Sequence, residues 1–491
     1  MSQSEAASPT SFLWRTKPIE SDDEAGGLKR ALGPWALIAL GIGCTIGAGL
    51  FSLTGIAASE NAGPAVVLSY LIAGIGCGFA GLCYSELSSM IPISGSAYTY
   101  AYTALGEFVA WIIGWDLVLE YAVAAAAVAV SWSSYMIKLL GQFGISLPPR
   151  LCASPYETVH LAGGGTANGL VNLPAVLVIV CVSLLLMRGV TESARVNAVI
   201  VAIKIAVILA VIGFGIGYIK TANYVPFIPP NDGTFGHFGL SGVMRAAGTI
   251  FFAYVGFDAV STAAQEAKNP GRDMPIGILG SLAICSLAYI LFSLVLTGML
   301  NYKAMLNDAS PVSSAIDQTP YGWLKLAVNV GIVCGFTSVL LVLLLGQSRV
   351  FYAMSRDGLL PRFFSRVHPT WQTPWRSNLF FMVLVAAMSA FLPISELGHM
   401  TSIGTLLAFI IVCIGVLILR RTKPDQARGF VVPFGPVIPV LGILSCAAIM
   451  ASLDGLTWIR LAVWLLIGLA VYFGYGRRHS RVQTGRPPRT T

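Results

Sequence analysis

Four ionisable side chains interrupt long apolar stretches of this chain: Asp116, Glu120, Lys204 and Asp258. A charge buried among apolar groups at the centre of a membrane costs upward of about 2.5 kcal/mol, so each of them needs a polar cavity or a partner. Asp116 and Glu120 are four residues apart and share one face of a helix, which fits a ligand-facing pair or a polar network between helices. Such groups can carry protons or neutralise a charged ligand.

The lysine of this set admits two interpretations. Lys204 lies about eight residues, or about 12 Å, into its apolar run, so its ammonium could extend along the helix to the nearer surface. Alternatively it is a proton switch, because an apolar environment lets a lysine gain and lose its proton as a cavity alternates between two aqueous sides. When protonated, it would bond carbonyls of the first apolar span in the place that a sodium ion would otherwise take, which predicts proton coupling.

A glycine-rich run marks the middle of the first apolar span. Gly41, Gly43, Gly47 and Gly49 fall within nine residues, and each glycine costs a helix about 1 kcal/mol, so we predict an interruption with Gly41 and Gly43 as its breaking residues. Unwound backbone inside a membrane must line a polar cavity or bind a ligand. The alternative is a packing face, since Gly43 and Gly47 form a GxxxG pair.

The sixth apolar span repeats this irregularity around Gly256, next to Asp258. Interrupted helices at positions one and six are typical of transporters built from two inverted five-helix repeats, in which half-helix N-termini hold an anion and freed carbonyls hold a cation. An amino acid zwitterion carries both charges. We therefore expect a carboxylate at the N–H groups of Ala48 and Gly49 and an ammonium at three carbonyls, those of Thr45, Ala253 and Val255.

Composition places these elements in a membrane. Of the 491 residues 56% are hydrophobic and 11% are charged, whereas soluble proteins average about 25% charged. Apolar runs long enough to cross a bilayer of about 30 Å recur twelve times. The predicted spans are 35–58, 65–90, 108–140, 173–187, 196–219, 242–264, 276–300, 324–353, 378–391, 403–419, 434–452 and 458–475.

Basic residues predict the orientation. With both termini in the cytoplasm, 22 of the 30 Lys and Arg lie in the tails and in cytoplasmic loops, and the opposite side holds only Lys138, Arg150, Lys220 and Lys303. Short cytoplasmic loops retain positive charge, so the sequence predicts a multi-pass protein of the inner (cytoplasmic) membrane with both ends inside. The polar, partly acidic first 30 residues lack the order of a signal peptide and predict a cytoplasmic tail.

Enzymatic chemistry has little support in the sequence. The five histidines lie in loops, in a tail or at a span edge, no GxxxxGK[ST] phosphate loop occurs, and eight of the nine cysteines fall in apolar spans. We expect no catalytic residue, no metal and no cofactor. The expected partners are an L-amino acid, a proton and the lipid bilayer, with a small membrane subunit as an optional one and no nucleic acid, whereas the oligomeric state is not determined.

Seven motifs in order resemble the amino acid–polyamine–organocation (APC) transporter superfamily, and within it the cationic amino acid transporter branch in its short prokaryotic form. The motifs are IGAGLF at 46–51, SGSAYTY at 94–100, GWDLVLEY at 114–121, SARVNAVIVAIK at 193–204, the run at 251–275, SRVFYAMSRDGLLP at 348–361 and SIGTLLAF at 402–409. The sequence departs from this pattern at Gln265, where many relatives have a glutamate, and at Pro34 and Trp35.

The resemblance implies an all-α integral membrane fold of twelve transmembrane helices. In this fold a 5+5 inverted-repeat (LeuT-like) core has discontinuous helices 1 and 6, and two helices follow the core. The implied division is a tail at 1–30, repeats at 31–220 and 221–421, two helices in 422–476 and a basic tail at 477–491. Phe252 would cover the substrate, Lys204 would couple the proton, and Glu120 and Asp258 would line or border the pocket.

Together these arguments predict secondary active import of L-amino acids by proton symport through alternating access. The candidate substrate-binding residues are Thr45, Ile46, Gly47, Ala48, Gly49, Glu120, Phe252, Ala253, Val255 and Asp258. Ala48 and Ala253 leave room for a substrate, and Phe252, Tyr254 and Phe257 would form apolar walls, so small neutral amino acids such as alanine are favoured. The alternative is a transporter or exchanger of cationic amino acids, with Glu120 as the partner of their side chain; a non-transporting sensor is a weaker one.

Overall fold

The computed structural model describes residues 15–16, 31–91, 96–160, 165–189, 194–371 and 373–484. The predicted N-terminal tail lies outside these residues except for Arg15 and Thr16, and so does the end of the C-terminal tail, 485–491. Helices dominate the described chain, together with one antiparallel hairpin, β1 (Thr158–His160) and β2 (Thr166–Asn168), in which Val159 pairs with Ala167.

Helical segments coincide with all twelve predicted spans. In chain order they are α1 (Pro34–Thr45), α2 (49–62, partly π-helical), α3 (Val66–Met90), α4 (Ser96–Ala104), α5 (Glu107–Gln142), α6 (Leu173–Met187), α7 (Ala194–Gly215), α8 (Gly239–Ile250), α9 (Asp258–Glu266, a 3-10 helix), α10 (Pro270–Met299), α11 (Pro311–Ile316), α12 (Gly322–Arg356), α13 (Trp375–Phe391), α14 (Ile394–Thr422), α15 (Val437–Ala451) and α16 (Gly455–Val471).

Eight apolar segments of the described chain are long enough to cross a membrane, and one of them runs without a gap from α2 through α3. Four shorter apolar helices, α1, α6, α13 and α15, have 12 to 17 residues. Length and composition therefore support a multi-pass membrane protein. The count of twelve crossings stays a prediction.

Burial separates central helices from peripheral ones. In α5, 94% of the most apolar 18-residue stretch is buried, whereas in the helical segment Gly455–Thr484, which contains α16, 22% of that stretch is buried. Apolar side chains on α16 must therefore face lipid, since an apolar surface of this size is unfavourable in water. The helix that carries Asp116 and Glu120 lies in the middle of the molecule.

Contacts between distant segments define two ends of the helix bundle. At the first end, which we call the tail face, the guanidinium of Arg15 contacts the carbonyl of Val482 at 3.5 Å, and the N–H of Arg481 donates to the carbonyl of Asp357 at 3.1 Å. At the second end, the hairpin face, Lys138 pairs with Asp308 at 3.2 Å and the hairpin precedes α6. Both described ends of the chain therefore lie on one face.

Candidate functional site

Helix 1 of the sequence prediction is broken between α1 and α2. The α-helix ends at Thr45, Ile46 is extended with φ −74° and ψ 106°, and helical structure resumes after Ala48. The prediction that Gly41 and Gly43 break the helix is wrong, because both lie inside α1. They serve packing instead: a Cβ on Gly41 would lie 2.4 Å from the Ser281 hydroxyl of α10.

Helix 6 of the prediction is broken between α8 and α9. One 3-10 turn, Phe251–Tyr254, follows α8, Val255 is extended, and Gly256 has φ +114°, a conformation that favours glycine. Asp258 begins α9, and its carboxylate accepts a hydrogen bond from the Gly256 N–H at 3.2 Å and another from the Tyr121 hydroxyl at 3.4 Å. The aspartate thus fixes the break from the C-terminal side and ties it to α5.

The two breaks are in direct backbone contact. A Cβ on Gly49 would lie 2.3 Å from the Cα of Ala253, and a Cβ on Gly256 would lie 2.8 Å from the carbonyl carbon of Cys44. No real Cβ atom tolerates such distances, so a larger residue at either glycine would force the breaks apart. Residues that the sequence separates by about two hundred positions therefore form one site.

A single tyrosine hydroxyl joins freed carbonyls from both breaks. The hydroxyl of Tyr289, on α10, lies 3.0 Å from the carbonyl oxygen of Thr45 and 2.8 Å from that of Ala253. A phenol has one proton and donates to one acceptor at a time, so two carbonyls share one donor. Sequence reasoning missed Tyr289, because a tyrosine within an apolar run carries neither charge nor a helix-breaking signal.

Lys204 is turned into the protein. Its residue is 1% exposed, and its ammonium donates to the carbonyl oxygen of Gly43 at 2.6 Å, one turn before the break of α1. Gly335 of α12 packs on the lysine methylenes, since a Cβ there would lie 3.0 Å from the lysine Cε. The alternative in which the side chain reaches the surface is therefore excluded in this structure.

The acidic pair of α5 is also buried. Asp116 and Glu120 are each 1% exposed, and within the described ranges their four carboxylate oxygens have no hydrogen-bond partner. Glu120 lies in a π-helical turn, Leu119–Val123, a distortion that often accompanies functional sites. Asp116 faces α14, where a Cβ on Gly404 would lie 3.1 Å from its carboxylate.

Phe252 is attached to α14 through its backbone. Its N–H donates to the hydroxyl of Ser402 at 3.1 Å, and that hydroxyl is 3.4 Å from the carbonyl of Thr249, its acceptor. Ser402 thus bonds the residues on both sides of the turn where helix 6 breaks. Phe252 itself is buried, with 5% of its surface exposed. Ser402 belongs to the SIGTLLAF motif, but no sequence signal indicated this contact.

Two further aromatic residues of the predicted apolar wall serve helix packing. The Tyr254 hydroxyl donates to the Tyr70 carbonyl at 2.9 Å, and its ring stacks edge-on against Tyr289 with centroids 5.4 Å apart. Phe257 packs against Phe409 of α14 with centroids 5.2 Å apart. Both side chains are fully buried, so of the three predicted wall residues only Phe252 retains any exposed surface.

Comparison with known proteins assigns the chain to a family. Residues 32–485 match the model of a family described as amino acid permease. The chain is 45% identical to the methylthioribose transporter of Bacillus subtilis, over 96% of this chain and 99% of that protein. It is 43% identical to the branched-chain amino acid permease BcaP of the same organism, over 93% and 95%.

A plant relative connects the chain to the predicted branch. The vacuolar cationic amino acid transporter 4 of Arabidopsis thaliana is 31% identical over 95% of this chain and 96% of its own length. These relatives are named as transporters or permeases. The chain therefore belongs to the amino acid permease family of the APC superfamily, in the branch that contains the cationic amino acid transporters.

Proposed function

We propose that this protein imports small neutral L-amino acids with broad specificity by proton symport through alternating access. The observation that carries the proposal is the bond from the buried ammonium of Lys204 to the carbonyl of Gly43. Because the Lys204 ammonium bonds the broken helix, the protonation of Lys204 is linked to the geometry of the break. Loss of that proton would replace a charge-assisted hydrogen bond to Gly43 with the weaker hydrogen bond of a neutral amine and so loosen this half of helix 1.

The backbone around the two breaks supplies groups for an amino acid zwitterion. The Gly47 carbonyl accepts from the N–H groups of Leu50 and Phe51, so α2 begins here, and a first helical turn leaves its leading N–H groups unpaired. We assign the substrate carboxylate to the N–H groups of Ala48 and Gly49. We assign its ammonium to the carbonyls of Thr45, Ala253 and Val255, two of which share the single proton of Tyr289.

Close packing at the crossing supports a small substrate. Gly49 lies against Ala253, where an added Cβ would be 2.3 Å from the Ala253 Cα, so a substrate with a short side chain needs the least displacement at the crossing. In this proposal Ile46 lines the same stretch of helix 1, while Glu120 and Asp258 border the site.

Two other substrate classes have specific support. Branched-chain amino acids are favoured by the names of the BcaP permeases of Bacillus subtilis and Lactococcus lactis, which are 43% and 37% identical to this chain. Cationic amino acids are favoured by Glu120, whose buried carboxylate has no partner within the described ranges and would pair with a basic side chain. Methylthioribose, named for one relative, lacks the zwitterion that the two breaks are proposed to bind.

Uptake by proteoliposomes separates these substrates. We expect labelled alanine to accumulate under an inward proton gradient without sodium, and unlabelled alanine to compete better than leucine or arginine. Stronger competition by leucine would favour the branched-chain class, and stronger competition by arginine the cationic class. Exchange without gradient-driven accumulation would contradict symport.

Lys204 provides the test of coupling. We expect Lys204→Ala to lower proton-driven uptake at least tenfold, because the protonatable group is gone, and Lys204→Arg to fail as well, because a guanidinium does not release its proton. The matched control is Lys220→Ala, an exposed lysine on the hairpin face, which should transport normally. Full proton-driven uptake by Lys204→Ala would contradict the proposed role.

The same proposal includes an architecture. We propose twelve crossings with cytoplasmic termini, inverted repeats at 31–220 and 221–421, and two C-terminal helices. Support comes from breaks in the first helix of each repeat and from the meeting of Arg15 with Val482 at one face, as an even number of crossings requires. The basic residues then assign the tail face to the cytoplasm and the hairpin face to the exterior.

A further inference from the structure

A polar cluster near the hairpin face contains a histidine that the proposed mechanism does not use. His399, in the second turn of α14, has a side chain 17% exposed, and its Nε2 atom lies 3.1 Å from the hydroxyl of Thr249 on α8. Its Nδ1 atom lies 3.6 Å from the carboxylate of Asp454, which precedes α16. The imidazole therefore bridges the last turn of α8 and a more exposed carboxylate.

This cluster holds the first half of helix 6 in place. The hydroxyl of Ser452 lies 3.0 Å from the Met244 carbonyl and 2.6 Å from the Ile449 carbonyl and shares its one proton between them, and Arg245 donates to the Ser452 carbonyl at 3.2 Å. Ser402 lies one turn after His399 on α14, and its hydroxyl donates to the Thr249 carbonyl and accepts from the Phe252 N–H. We call these hydrogen bonds together the α8 clasp: His399 with Thr249, Ser402 with Thr249 and Phe252, and Ser452 with Met244 and Arg245. It joins the surface of the hairpin face to the residue that covers the proposed substrate site.

The charges around the imidazole come from four elements. Asp454 faces it from the turn before α16, Glu396 from α14 itself, Arg245 from α8 and Arg460 from α16. Arg460 pairs with Glu396, so these two charges largely compensate each other. Arg245 bonds a backbone carbonyl and opposes a positive imidazole, whereas Asp454 is the carboxylate that a protonated ring would engage.

Protonation would reverse the hydrogen bond between His399 and Thr249 and add an ion pair between His399 and Asp454. With Nδ1 carrying the only proton, Nε2 of His399 accepts from the Thr249 hydroxyl. A protonated ring donates from both nitrogens, so that hydroxyl must accept instead and turn its own proton to the Arg245 carbonyl, 3.2 Å away. Both arrangements fit the observed distances, and the protonated one adds attraction to Asp454.

We propose that His399 is a positioning residue that responds to proton concentration at the hairpin face and, once protonated, tightens the α8 clasp over the substrate site. The inference rests on the proposed function, in which this face is external. External acid would then favour closure of the loaded carrier, in addition to driving transport through Lys204. An exposed imidazole changes charge between about pH 5 and pH 8; burial of the His399 ring disfavours its charged form whereas Asp454 favours it, so protonation of this ring requires acid.

The experiment varies pH while the proton gradient stays constant. Proteoliposomes are held with an inward gradient of about one pH unit, and external pH is changed from about 7.5 to about 5.5, the range in which histidine titrates. We expect the wild-type alanine uptake rate to rise about fivefold, the low end of coupling between two sites. His399→Gln should give a flat profile, because glutamine bonds Thr249 but cannot be charged.

His237→Gln is the matched control, since His237 is exposed on the same face and pairs with Asp232 outside the clasp. It should reproduce the wild-type profile. A wild-type profile in His399→Gln would overturn the inference and leave proton symport standing, whereas absence of proton-driven uptake in the wild type at every pH would overturn both. A merely structural histidine would lower the melting temperature and the uptake rate without flattening the profile.

Asp454→Asn keeps the inference testable if His399→Gln does not fold. Asparagine remains a good N-cap for α16, as Asp454 is now, but it removes the negative charge beside the imidazole. Protonated His399 would lose its partner, so the midpoint of the uptake profile should move to more acid pH. An unchanged midpoint would overturn the inference.

Discussion

The polar side chains near the two helix breaks are of two kinds: charged residues within apolar spans, and an uncharged hydroxyl that joins the two broken helices. Asp116, Glu120, Lys204 and Asp258 stand out as charges in apolar runs, and each is at most 1% exposed in the structure. Tyr289 stands out in no pattern, yet its hydroxyl contacts carbonyls of both broken helices. Its role depends on the crossing of distant segments, which no local pattern encodes.

Tyr289→Phe should separate this role from ordinary packing. Phenylalanine fills the same volume but leaves the Thr45 and Ala253 carbonyls without their shared donor, and an unpaired buried carbonyl costs about 1–3 kcal/mol. We expect a lower melting temperature and at least a tenfold loss of alanine affinity, measured by ligand-induced thermal shift. Tyr156→Phe, at a tyrosine 77% exposed, is the control, and equal affinity in both variants would contradict the role.

At the scale of elements, glycine content predicted that helices 1 and 6 are broken but not where helix 1 breaks. Gly41 and Gly43 lower helix propensity, but the helix continues through them because α7 and α10 pack closely on its surface: a Cβ on Gly43 would lie 2.9 Å from Asn197. The break comes at Ile46, a residue with no local signal for it. Tertiary packing therefore decided between two local interpretations of the same glycines.

The break of helix 6 depends on a single glycine, Gly256. Gly256→Ala would place a Cβ 2.8 Å from the Cys44 backbone and force alanine to adopt φ +114°, so we expect poor expression or loss of transport. Gly213→Ala is the matched change within α7, because no atom of another described element lies within 4 Å of the Cβ it would add. Alanine there should raise stability by up to about 1 kcal/mol. Equal melting temperatures and uptake rates for the two variants would contradict this account.

At the scale of the whole molecule, the charge bias predicts that both termini lie in the cytoplasm, and the contacts of Arg15 and Arg481 bring both described ends of the chain to one face. The prediction that 22 basic residues lie on one side uses charge alone, and the contact of Arg15 with Val482 is found without reference to a membrane. Hydropathy predicted where the helices lie because lipid requires long apolar segments. It could not predict how they cross, since the helices meet through particular side chains such as Ser402 and Tyr289.

Labelling of single cysteines tests this arrangement in a membrane. Thr484, exposed on the tail face, and Tyr156, exposed on the hairpin face, are replaced separately by cysteine in a Cys152→Ser background, because Cys152 lies near the hairpin. In intact cells a membrane-impermeant maleimide should label Tyr156→Cys but not Thr484→Cys, and in inside-out vesicles the pattern should reverse. The parent without an added cysteine controls for the thiols within helices. Labelling of both positions from the same side would contradict the odd number of crossings that the proposed topology puts between Tyr156 and Thr484, and an inverted pattern would place the basic loops outside the cell.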